Sequence, residues 1–294
     1  MATRKDTLWE QFLAPVFKLF IDPQEIHRVH ERIDWPTVTA QIARPDLTYP
    51  DYYRTGNFHG IEGGYLTTDA ALSYDPVTRY VLPPGEEMVR NCLIQAVRSK
   101  PRRILDLGCG TGSSTLLLKK AFPQAEVIGL DLSPYMLAVA QLKAQQENLG
   151  ITFRHGDAEA TGLPNASFDL VTASLLFHET PPEVTECILR EMFRLVTVGG
   201  ECLILDGNQN TLRNTEWLNN VFEEPHINAY AAGNLNAWMQ AAGFGAVQTQ
   251  EHWWLHQVTR GVKPLAAPEP KVRTAKFETL SDLDGDLGFA GAGA

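Results

Sequence analysis

The sequence predicts an α/β fold built on an open, mostly parallel sheet, and three observations carry that expectation. A short apolar run, Ile104-Leu105-Asp106-Leu107, leads straight into glycines at 108, 110 and 112. Further short apolar runs alternate with helix-like stretches over the next hundred and fifty or so residues. Polar groups gather where those runs end, and the carboxyl ends of strands are where an open parallel sheet binds ligands.

Taken in order, Gly85 to Lys100 reads as a helix leading to the first strand. Glycines without Cβ let backbone amides approach a ligand closely, and Ser113 to Lys120 reads as a helix whose positive end faces the same spot. Glu126 to Leu130 reads as a second strand and ends on Asp131, about twenty residues past the glycines, where a carboxylate can hold ribose hydroxyls. Ser133-Pro134 opens the next helix, with Ser as N-cap and Pro preorganised at the first position. A third strand, Ile151 to His155, leads to Gly156-Asp157-Ala158-Glu159. A fourth, Phe168 to Ser174, leads to Leu175-Leu-Phe-His-Glu179, with a helix beginning near Pro181-Pro182. A fifth strand is followed by a helix around Trp238 and by strands Ala246 to Trp253 and His256 to Val262.

Gly-x-Gly-x-Gly with an acidic residue two positions upstream differs from the dinucleotide fingerprint, which places its third glycine where Ser113 stands. The pattern resembles motif I of the class I S-adenosylmethionine-dependent methyltransferases. Residues Ile104 to Asp206 resemble the ubiquinone/menaquinone-biosynthesis-like (methyltransferase type 11) branch, sharing the glycine loop, Asp131, Gly-Asp-Ala-Glu, Phe-Asp-x-Val and a Gly-Gly turn before a late strand. Thr197-Val198 stands where that branch usually has Lys-Pro, in a turn remote from chemistry. The resemblance implies a Rossmann-like sheet of seven strands, mostly parallel with the last antiparallel, under an N-terminal helical and loop cap. It implies S-adenosyl-L-methionine as cofactor. Gly108, Gly110 and Gly112 would then form the loop under its methionine half, Asp106 and the Ser174 backbone would lie near its amino group, and Asp131 would bind the ribose. Leu132 would flank the adenine, with Asp157 and the Ala158 amide pairing to its edge.

A sulfonium is an activated donor, so such a site must align an acceptor, exclude water and take up a proton where the acceptor requires it. His178 follows the fourth strand on the acceptor rim and histidine titrates near neutral pH, so it is a candidate base. The same position suits a residue that orients the loop or caps the next helix. Glu179 is a second candidate, expected to be solvated. His59 lies in the glycine- and aromatic-rich stretch Asp51 to Tyr65, which reads as a lid over the donor methyl or as ordinary packing. Trp217 to Tyr230, with Glu223, Glu224 and His226, is the other candidate for the acceptor wall. Their aromatic content favours a flat, partly apolar small molecule. The rival to an enzyme is a catalytically silent protein that keeps the cofactor pocket for regulation, and an oxidoreductase is disfavoured by Ser113.

Composition agrees with that reading. The 294 residues carry 25 basic and 35 acidic side chains, a net charge of −10, which argues against nucleic acid as substrate. The basic run Arg98 to Arg103 reads as a solvated helix end on the far edge from the site. Cys92, Cys109, Cys187 and Cys202 are scattered without metal-ligand spacing, so no metal is expected, and Asp282-x-Asp284-x-Asp286 lacks the glycine and glutamate of a calcium loop. Charges interrupt the apolar stripe Trp9 to Phe20, so packing or peripheral membrane contact is expected of it, with no stable insertion. The expected organisation is a cap over residues 1–84, a methyltransferase domain over 85–264 and a surface or disordered tail over 265–294. A cytoplasmic monomer or homodimer is expected.

Overall fold

The computed structural model describes residues 22–56, 58, 61, 64–215, 219 and 224–265. The apolar stripe Trp9 to Phe20, His59, Trp217, Glu223 and the tail past residue 265 lie outside them. Four helices come first: α1 (Pro23–Arg32), α2 (Trp35–Ile42), α3 (Asp51–Thr55) and α4 (Thr68–Val81). Asp22, Asp34 and Thr67 cap α1, α2 and α4, each side chain accepting from a first-turn amide. Then follow α5 (Glu86–Ala96), β1 (Arg103–Leu107), α6 (Ser113–Ala121), β2 (Glu126–Asp131), α7 (Pro134–Gln146), β3 (Thr152–His155) and β4 (Phe168–Ser174). The chain continues through α8 (Pro182–Leu195), β5 (Val196–Gly207), α9 (Gln209–Asn214), α10 (Ile227–Ala232), α11 (Leu235–Ala241), β6 (Gly245–His252) and β7 (His256–Val262).

The strands form one seven-stranded sheet in the order β3-β2-β1-β4-β5-β7-β6. β1 to β5 pair in parallel and β7 runs antiparallel between β5 and β6, which bears out the expected sheet. The chain winds outward from β1 in one direction through β2 and β3, and in the other through β4 and β5. The crevice above the carboxyl ends of β1 and β4 is therefore the topological switch point.

Alternate residues of the strands supply two cores. Leu105, Leu107, Ile128, Val171, Ala173 and Ile204 pack with α8, α10 and α11, while Ile104, Val127, Leu170, Leu203 and Leu205 pack with α5 and α6. A third cluster joins the N-terminal helices to α7: Ile33, Trp35, Tyr53, Phe58, Tyr65 and Leu72 meet Leu132, Met136 and Val139.

Two local expectations change. The helix expected to run to Lys100 stops at Ala96, because the Glu201 carboxylate accepts from the backbone amides of Arg98 and Ser99 at 3.1 and 2.9 Å. The basic run is therefore a turn before β1, where Arg102 and Arg103 amides donate to Asp169 and the Arg103 guanidinium lies over the Phe168 ring. Gly199-Gly200 falls inside β5, in a register break that sets Val196 opposite Phe168 and Glu201 opposite Leu170.

Candidate active site

The turn from β1 into α6 is held in the left-handed region at all three glycines, with φ of 61°, 53° and 79° at Gly108, Gly110 and Gly112. An L side chain is strained there, which is why the turn is written in glycine. Their surroundings differ. A Cβ on Gly108 would lie 2.8 Å from Leu176, one on Gly112 would lie 3.1 Å from both Ala140 and Leu116, and one on Gly110 would meet nothing within 4 Å. Gly110 thus faces open space. Gly112 packs the loop onto α7 and is not among the residues lining the two compartments described below.

Asp131 closes the loop from the next strand. One carboxylate oxygen accepts from the Gly110 amide at 2.8 Å and the other from the Ser133 amide at 2.7 Å. Burial pushes its pKa up to about 6, against those two amides. Asp106 is also buried and accepts from Thr115 and Thr172 hydroxyls at 2.7 and 2.8 Å; burial raises its pKa. At the end of β4, the Ser174 hydroxyl is buried with no hydrogen-bond partner. Such an orphan polar atom facing a cleft marks a place for a polar ligand group. Leu175 then takes a left-handed conformation, φ 58°, and throws Leu176 over Gly108 and Glu179 toward the cleft.

Two compartments result. One is lined by Asp106, Gly108, Gly110, Ser174, Tyr74 and Arg90 among others. The other is lined by Leu132, Gly156, Asp157, Ala158, Tyr52 and Phe58 among others. They share Tyr53, Gly108, Asp131, Leu176 and Glu179, so Asp131 stands where they meet.

The stretch around α3 lies over this junction. Phe58 stacks on Tyr65 with centroids 5.2 Å apart, and the edge of Tyr65 meets Tyr74. The Ser133 hydroxyl donates to the Tyr65 carbonyl at 2.7 Å, tying this wall to the Asp131 turn. The Tyr65 hydroxyl donates to Glu179 at 2.7 Å. Glu179, expected to be solvated, has a side chain only 13 % exposed and lines both compartments. His178, by contrast, lines neither. Its Nδ1 is 2.6 Å from Asp206 Oδ1, while Asp206 Oδ2 accepts from the Phe177 amide. Burial lowers the His178 pKa, but the Asp206 charge outweighs it and brings the group up to about 9, so the imidazole is protonated at neutral pH. That geometry fits its reading as an orienter of the loop and runs against its reading as a base. α8 begins without a side-chain cap, so His178 is not its N-cap. In the second expected wall, Tyr230 is buried with its hydroxyl on the Gly207 carbonyl, and the His226 ring meets the edge of Tyr52.

Arg90 is the residue that sequence reading passed over. It lies mid-helix on α5, buried, with Nε on Glu86 and an Nη on Ser114 at the start of α6, and it is the cation lining the described cleft. Nothing in a helical repeat separates such an arginine from a solvated one; only the packing of α5 beside the glycine loop does.

Comparison with known proteins agrees with this geometry. A family model described as a methyltransferase domain matches residues 104–200. The demethylmenaquinone methyltransferase of Thermus thermophilus is 38% identical over 143 residues, 48% of this chain and 64% of that protein. The protein of the same name from Geobacillus kaustophilus is 36% identical over 157 residues, and a trans-aconitate 2-methyltransferase of Methylobacterium radiotolerans is 38% identical over 117. The chain spans 64%, 63% and 41% of these three relatives, so the likeness belongs to the domain and not to their whole lengths. In solved structures, phosphoethanolamine N-methyltransferase 2 of Haemonchus contortus gives a TM-score of 0.55 at 16% identity, covering 74% of this chain and 61% of that one. The methyltransferase SibL gives 0.54 at 20% identity, covering 87% and 72%. These likenesses speak for the methyltransferase fold. No helix among the described residues is long and apolar enough to cross a membrane.

Proposed function

We propose that this chain is an S-adenosylmethionine-dependent methyltransferase acting on a small, flat, partly aromatic molecule that gives up a proton on methylation. The observation that carries the reading is the meeting of two unlike compartments at Asp131. The residues fit the cofactor. Asp131 at the junction suits the ribose, and Leu132, Asp157 and Ala158 in the second compartment suit a flat base with a hydrogen-bonding edge. In the first compartment the orphan Ser174 hydroxyl, Asp106 and Arg90 suit an amino acid end with both charges. The open space above Gly110 leaves room for it. Once bound, the sulfonium supplies a methyl group that needs only an aligned nucleophile.

The protein's own residues supply the alignment. Tyr52, Tyr53, Phe58, Tyr65 and Tyr74 form an aromatic wall that suits a planar ring. Glu179 is the carboxylate on that side, and it is placed to take the acceptor's proton while Tyr65 donates to its Oε1. Two relatives' names suggest different acceptors, a quinone ring and a tricarboxylate. The ring is favoured here, because Asp106, Asp131, Asp157 and Glu179 would repel a polyanion. Four free cysteines suit a reducing compartment, which supports the cytoplasm as its place.

Calorimetry with S-adenosylmethionine, S-adenosylhomocysteine and NAD tests the cofactor step: binding of the first two and none of the third is expected. Tight NAD binding with no response to either sulfur nucleotide would overturn it. Incubation with methyl-labelled cofactor and small-molecule extracts, followed by mass spectrometry, identifies the acceptor; a labelled product with no ring would overturn the acceptor class.

A further inference from the structure

We infer that Asp75, in the N-terminal segment and outside the matched domain, is a positioning residue that clamps the glycine loop in its ligand-ready form. Asp75 lies on α4, next to Tyr74 of the cleft wall. One of its carboxylate oxygens accepts from the hydroxyl of Thr111, the residue between Gly110 and Gly112. The other accepts from Lys143 Nζ of α7 at 2.7 Å, and Lys143 also donates to the Ser113 hydroxyl at 3.0 Å. Thr111 is 1% exposed, and the Asp75 and Lys143 side chains are about three-quarters buried. Lys143 stands one helical turn beyond Ala140, the residue that packs under Gly112.

The physical need for such a clamp comes from the loop itself. Three glycines with positive φ keep the loop from strain, but glycine loses the most conformational freedom on ordering, so a loop rich in it does not hold its shape unaided. A charged acceptor makes a stronger hydrogen bond than a neutral one, and here a single carboxylate holds the loop hydroxyl and the lysine that holds the next hydroxyl. The link reaches Gly110, which lines the first compartment and not the second. The N-terminal segment is therefore part of the cofactor site as well as a wall for the acceptor.

The ligand arm of the test rests on the methyltransferase reading; the exchange arm does not. In the full chain without ligand, Asp75→Ala should speed amide hydrogen exchange in residues 108–114 by roughly tenfold while the sheet strands exchange as before. Thr111→Val should do the same and Thr111→Ser should not. By calorimetry, Asp75→Ala should weaken S-adenosylhomocysteine roughly tenfold and leave adenosine, which needs only the second compartment and the ribose, nearly unchanged. The Asp75→Ala/Thr111→Val double variant should be no weaker than Asp75→Ala alone, since Thr111→Val removes a link that Asp75→Ala already removes. Lys143→Met, which keeps the stem and removes the charge, gives an intermediate loss and covers the case in which Asp75→Ala fails to fold. Unchanged loop exchange overturns the clamp. So does an equal loss for adenosine and S-adenosylhomocysteine, which means general loosening. Parent protein that binds neither nucleotide, with faster loop exchange in the variants, overturns the proposed function and leaves the clamp standing.

Discussion

His178 Nδ1 lies 2.6 Å from an oxygen of Asp206, a carboxylate with no exposed surface at the end of β5. The pair joins the turn after β4 to the neighbouring strand and holds the segment that presents Glu179. Its pKa of about 9 lies above the ordinary 6.5, so its stabilisation is complete below about pH 6.5 and is lost as pH rises through about 9. Thermal unfolding of the parent and of His178→Gln should therefore differ by a constant amount below that window, with the difference shrinking between pH 7 and 9. A difference independent of pH up to 9.5 or so would show that the imidazole is neutral in the fold.

Asp131 shifts stability in the same sense, in a lower pH window. Its folded pKa of about 6 stands above the ordinary 3.8, so burial of the charged form costs stability as pH rises through that interval. Ribose hydroxyls need the carboxylate. S-adenosylhomocysteine affinity should then rise with pH through about 6, with proton release on binding at lower pH, visible as a buffer-dependent heat. Asp131→Asn should lose roughly tenfold or more in affinity together with the pH dependence; retention of both would place the ribose elsewhere.

Glu179→Gln keeps the size of the side chain and its bond from Tyr65 but removes the basic oxygen. Turnover should fall by about a hundredfold, with a much smaller change in S-adenosylhomocysteine affinity. Tyr65→Phe should lower turnover by less than Glu179→Gln, because it removes the hydroxyl that orients the carboxylate and leaves the basic oxygen in place. Full turnover in Glu179→Gln would mean that the acceptor needs no base.

Gly110 and Gly112 should fail differently although both have positive φ. Gly110→Val projects into open space and should abolish nucleotide binding while the protein stays folded, apart from a strain of about 1–2 kcal/mol. Gly112→Ala meets Ala140 and Leu116 and should lower the melting temperature more. Calorimetry and thermal melts on both variants decide it; equal melting losses would show that the loop's form is set elsewhere.

Arg90→Met removes the cation of the first compartment. The loss should be larger for S-adenosylhomocysteine than for adenosine, which has no carboxylate. Equal losses would confine Arg90 to its links with Glu86 and Ser114.

Much of this was legible in the chain alone because the relevant signals are local. Strand alternation, glycines at 108, 110 and 112, Asp131 at a strand end and Ser133-Pro134 as a helix start each depend on a few adjacent residues, and a mostly parallel sheet of seven strands with the last antiparallel followed from the family resemblance, while the strand order came from the structure. The end of α5 was misread, since what stops it is Glu201, more than a hundred residues away. For His178 and Glu179 the neighbouring residues are the same and the roles are opposite. A 3-10 turn sends one side chain to buried Asp206 and the other to the cleft, and only tertiary packing sets that direction.

The sequence by itself determined the sheet, the glycine turn and the carboxylates at the strand ends, because hydrophobic period and backbone freedom are properties of short segments. Only the tertiary structure decided which glycine faces open space, which histidine is charged, and which distant side chains, Arg90 on α5 and Asp75 on α4, reach the loop. Those outcomes depend on burial and on distances of a few ångströms between segments far apart in the chain, and electrostatic and packing energies change steeply over that range.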